Sequence, residues 1–73
     1  MDYALEERIT RQWQHLTEMQ LKNLKNSKDH GDAIYWQDNV GRILNKLKEK
    51  YPVLYQVYNS FYAEIMVDLT KGW

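Results

Sequence analysis

Apolar residues recur along this chain in steps of three and four, the return period of an α-helix. They do so in three blocks, separated by a polar stretch and by a proline. In the first block, residues 3–26, Leu5, Ile9, Trp13, Leu16 and Met19 fall on one face, with Leu24 at its edge. Glu7, Arg8, Arg11, Glu18, Lys22 and Lys25 gather on the other side, and His15 joins them. Glu7 with Arg11 and Glu18 with Lys22 stand four apart, acid first, the order that supports a helix by a few tenths of a kcal/mol each. Asp2 is placed to cap this helix. Glu6 and Glu7 suit the positive end of its dipole, and Lys22 and Lys25 the negative end.

Residues 26–32 contain no apolar side chain and are rich in turn formers. Gly31 can take the left-handed conformation there, and Asp32 is the expected cap of a second helix over 33–50. The turn is short enough to send that helix back antiparallel to the first. Its stripe is Trp36, Val40, Ile43, Leu44 and Leu47, with Asp38, Arg42, Asn45, Lys46, Lys48 and Glu49 off it. Gly41 sits mid-helix beside the stripe at a cost of about 1 kcal/mol relative to alanine. Close approach by a neighbouring helix or a Trp ring is the expected compensation.

Pro52 admits two readings. A proline fits the first turn of a new helix and keeps Tyr51 out of helical geometry, which predicts a third helix over 52–71, ended by Gly72. Against this, Val40, Ile43, Leu47, Tyr51, Leu54, Tyr58, Phe61, Ile65 and Leu69 continue in steps of three and four through the proline. A single kinked helix over 33–71 would be about 60 Å long, beyond what the first helix can cover, and the kink costs about 3 kcal/mol. The break is preferred. The expected fold is all-α, one helical domain over residues 1–73: a three-helix bundle, or a hairpin whose second arm kinks at Pro52.

The last block is the most apolar; only Glu64, Asp68 and Lys71 carry charge. It shows two stripes, Leu54, Val57, Phe61 and Ile65 beside Tyr51, Tyr55, Tyr58, Tyr62, Met66, Leu69 and Trp73, centred roughly a quarter-turn apart. Together they make one wide apolar face that two preceding helices are not expected to cover within one copy. Phe61 is the expected core ring. A core built from Leu, Ile and Val needs no partner for a phenol hydroxyl, whereas tyrosine and tryptophan suit surfaces that are wet when free and dry when bound. Tyr51, Tyr55, Tyr58, Tyr62, Met66 and Trp73, with Trp36, are therefore the candidate partner-binding residues.

Composition narrows the classes. Seventy-three residues without cysteine leave no disulfide, and two distant histidines leave no zinc motif, so helix packing and oligomerisation are the available staples. Ten basic and ten acidic residues cancel, which argues against bulk attraction to nucleic acid or to an anionic membrane. No basic leader or span of bilayer length occurs, so the expected location is cytoplasmic. Asp29-His30-Gly31-Asp32 has the composition of a turn and lacks further ligands, and no phosphate loop, catalytic triad or metal motif is present. The expectation is a non-catalytic, cofactor-free interaction module, a regulator, adaptor or inhibitor, binding a protein partner or itself as a symmetric homodimer. Two rivals are a ligand held between the Tyr- and Trp-lined helices, and nucleic acid bound through Arg42, Lys46, Lys48 and Lys50.

Overall fold

Pro52 decides the architecture. Its ring bars Tyr51 from the helical region, and Tyr51 takes φ −138° and ψ 70°. In the computed structural model, which describes residues 3–71, the chain forms α1 (Tyr3–Lys25), α2 (His30–Lys50) and α3 (Pro52–Lys71). Among the described residues there is no strand. Tyr51 is the whole connection between α2 and α3. Its N–H closes α2 on the Leu47 carbonyl at 2.6 Å, and its own carbonyl accepts the Tyr55 N–H at 3.0 Å to open α3. The proline at the first helical position lacks only an N–H that would be unpaired there anyway.

The first turn is built differently from the sequence expectation. The cap of α2 is Asp29, not Asp32, and the helix starts at His30. The Asp29 carboxylate accepts the Asp32 N–H at 2.9 Å, satisfying one orphan donor, while Asp32 adds its charge to the positive end of the dipole. Gly31 lies inside that first turn without a positive φ. At the end of α1, Ser27 donates both its N–H (3.1 Å) and its Oγ (2.6 Å) to the Leu24 carbonyl. The expected caps Asp2 and Gly72 lie outside the described residues.

Each helix packs on both others, α1 and α3 parallel and α2 antiparallel to them, in a bundle 49 × 18 × 14 Å. The radius of gyration, 13.4 Å, exceeds the roughly 11 Å of a rounder domain of this length, so the bundle is rod-like. Its core is Leu21 and Leu24 of α1, Ala33, Val40, Leu44 and Leu47 of α2, and Tyr58 of α3. Thr17 is also buried, its hydroxyl donating to the Trp13 carbonyl at 2.7 Å.

α2 buries the face its pattern predicts. The other two helices turn. On α1, the buried direction through Thr17, Leu21 and Leu24 lies roughly 100° around from the centre of the expected stripe. Leu5, Ile9, Leu16 and Met19 are left exposed on the flank away from α3. On α3 the assignment of the two stripes is reversed. Tyr58 enters the core and Tyr51, Tyr55, Tyr62, Met66 and Leu69 pack against it, as do Leu54 and Ile65. Phe61, the expected core ring, is 49% exposed. The physical reason is shared: a helix between two neighbours must aim the bisector of its contacts inward, and periodicity within one helix does not specify that direction.

Candidate interaction surface

Around α3, Tyr58 points inward and defines the covered side; it is 6% exposed. Its hydroxyl donates to Glu18 Oε1 on α1 at 3.0 Å, so the buried phenol has the partner it needs. Burial, then the hydrogen bond and the negative charge of Glu18, push the phenol up to about 12 from its ordinary 10. Tyr55 is half-buried, with Lys48 Nζ 5.8 Å from its ring centroid, within cation–π range. Tyr51 serves the α2–α3 joint. Tyr62 borders a concavity between α3 and the Ile34, Gln37, Gly41 and Asn45 side of α2. Trp36 is half-buried against the core, and Tyr35 meets it edge-on with centroids 4.9 Å apart. Met66 is half-buried as well, and Trp73 lies outside the described residues. The fold thus gathers Tyr51, Tyr55, Tyr58, Tyr62, Met66 and Trp36 around one core instead of presenting them as an outward row.

α3 leaves Val53, Val57, Phe61 and Val67 outward, the first three along its other edge. Val57 is 46% exposed and Phe61 49%. This edge borders a groove of about 400 Å³ between α1 and α3. Leu21, Tyr58, Phe61 and Ile65 give the groove its apolar lining. Glu18, Lys22 and Lys25 stand on its α1 wall, and Glu64 and Asp68 on its α3 wall. The ion pairs among the described residues are both within one helix, Glu7–Arg11 at 2.6 Å and Asp38–Arg42 at 3.2 Å. Among the described residues, no ion pair joins Lys22 or Lys25 to Glu64 or Asp68 across the groove.

One signal could have identified the outer edge from the sequence. Summing helical turns, Glu64 and Asp68 lie within about 60° of Phe61, whereas the tyrosine row has no charge along it. Burying Phe61 would have drawn both carboxylates toward the core, which is far costlier than burying a phenol that finds one hydrogen bond.

The other candidates take structural places. The Asp29 carboxylate is occupied as a helix cap, and no group of three or more potential metal ligands converges among the described residues. Of the basic residues of α2, Arg42 pairs with Asp38 and Lys48 sits over Tyr55. Within the described residues, no helix is long and apolar enough to cross a membrane. Gly41 has nothing within 4 Å of where a Cβ would stand, so neither a helix nor a Trp ring approaches it. The chain matches no protein-family model, no curated protein and no solved structure.

Proposed function

We propose that this chain is a non-catalytic protein-interaction module, a small regulator, adaptor or inhibitor, whose contact surface is the outward edge of α3 with the adjoining α1–α3 groove. The observation that carries the reading is Phe61, half-exposed on a helix whose tyrosine flank packs against the core. Fully burying such a ring is worth about 1.5–3 kcal/mol, so an occupant of the edge gains roughly 1 kcal/mol from Phe61 alone. Aromatic residues in partly desolvated clefts with charged rims are the usual anchors of such contacts. The rival reading, a ligand between the helices, has less support, because Leu24, Val40 and Leu47 fill that space with almost no exposure.

Phe61→Ser tests the reading. The variant is expected to stay helical and lose about 1 kcal/mol of unfolding free energy, against the 3–5 kcal/mol of removing a core aromatic ring. It should also lose whatever association the wild-type chain shows in sedimentation. A variant that unfolds, or that costs the full core value in a urea titration, puts the ring in the core and ends the reading.

A further inference from the structure

α1 carries a second apolar surface, separate from the α3 edge. Leu5, Ile9, Leu16 and Met19 follow one another along its outer flank, away from α3, and each is more than a third exposed. With Gln12 between Ile9 and Leu16, the steps are four, three, four and three, the heptad spacing of a seam that pairs with another helix. A concavity of about 240 Å³ at Gln12, Trp13 and Leu16 lies on the seam, where a facing side chain can seat. One edge of the seam is basic: Arg8, His15 and Lys22 recur at seven-residue intervals, roughly 60–80° around from the nearest apolar positions. All three are exposed, and none makes an ion pair among the described residues. Glu18, spaced to pair with Lys22, lies further round toward α3 and accepts the Tyr58 hydroxyl instead. The other edge, Glu6, Trp13 and Gln20, turns toward the bundle, and Trp13 and Gln20 are half-buried.

We infer that this seam is a docking strip for a helix of another protein, one with a single apolar stripe and acidic residues along the edge of that stripe. In a packed helix pair, the residues flanking the seam face their counterparts on the partner. Arg8, His15 and Lys22 therefore select carboxylates at seven-residue spacing, and like charges there are excluded. A second copy of this chain does not supply them. Docked antiparallel through the same seam, two copies would set their basic edges against each other. Docked parallel, each basic edge would meet the other copy's Trp13 and Gln20, which carry no charge. A helix that lies in a lipid surface sinks a broad apolar face into the acyl boundary, whereas this seam is one narrow stripe with the bundle against its far edge.

The probe is a fluorescently labelled peptide of a few heptads, with Leu at both seam positions and Glu at both flanking positions. Its control is the same peptide with Lys in place of Glu. Anisotropy titrations with the wild-type chain are expected to show the Glu peptide bound about tenfold more tightly than the Lys peptide, with the preference shrinking as salt is added. Arg8→Glu with His15→Glu reverses the edge without touching the α1–α3 groove, and should reverse the preference. Ile9→Ser with Leu16→Ser should weaken both peptides by about tenfold. Circular dichroism checks that both double variants are folded, which the exposure of all four side chains favours. The inference is overturned if the wild-type chain binds neither peptide, binds them equally, or keeps its preference for Glu after the charge reversal. It is also overturned if vesicles of phosphatidylserine and phosphatidylcholine retain the chain while the Glu peptide does not, which gives the strip to a lipid surface. None of these outcomes bears on Phe61, whose edge lies on another face of the bundle.

Discussion

Gly41→Ala should stabilise this protein, and the size of the effect follows from what surrounds the position. Gly41 lies well inside α2, ten or so residues from either end by the bounds His30–Lys50. Its φ is negative, so alanine adopts the same backbone without strain. A Cβ built there finds no atom within 4 Å, so the added methyl neither clashes nor fills a gap in the core. What remains is the difference in helix propensity and unfolded-chain entropy, about 0.8–1 kcal/mol in favour of alanine. For a domain of this size, 1 kcal/mol raises the melting temperature by about 4–8 °C. Thermal and urea unfolding followed by circular dichroism at low protein concentration measure it directly. Gly31→Ala is the internal control: its Cβ would stand 3.3 Å from the Asp29 carboxylate oxygen that caps the helix, so the propensity gain is offset by disturbing the cap. A Gly41→Ala variant no more stable than wild type would refute the reasoning.

Two further perturbations isolate single interactions. Tyr58→Phe removes the hydrogen bond to Glu18 and should cost about 1 kcal/mol at neutral pH. It should also change the alkaline profile. The folded phenol holds its proton up to about 12 and the unfolded one to about 10, so the Tyr58 contribution is complete below pH 10 and is lost as pH rises from about 10 to about 12. Urea titrations of both proteins over that range should show wild type losing its advantage, and a constant difference would sink the assignment. Asp29→Ala, by removing the cap of α2, should cost about 1 kcal/mol, while Asp32→Ala should cost a few tenths through the dipole alone; equal costs in chemical denaturation would put the cap elsewhere.

Local chemistry made the helices legible in the sequence. Proline has no N–H and restrains the residue before it, so of the two readings of Pro52 the break was preferred, and α2 does end at Lys50 and α3 start at Pro52. The stripe of α2 was legible too, because Trp36, Val40, Ile43, Leu44 and Leu47 have charged residues on every other side. The start of that helix was misplaced by three residues because Asp29 and Asp32 are chemically equal caps. Which one folds over the turn depends on how the chain leaves α1.

Only the tertiary structure decided which sector of α1 and α3 faces inward. Periodicity is a property of one helix, while burial direction is a compromise among three. α1 rotates Leu24, Leu21 and Thr17 inward and leaves Leu16 and Met19 out. α3 takes in the tyrosine side, because Tyr58 can bond Glu18 across the bundle whereas Phe61 shares its edge with Glu64 and Asp68. The sequence by itself determined three amphipathic helices and more apolar surface than a clean three-helix core uses. The meeting of α1 with α3 determined where the surplus stands, since a hydrogen bond between residues 40 apart cannot be seen in either helix alone.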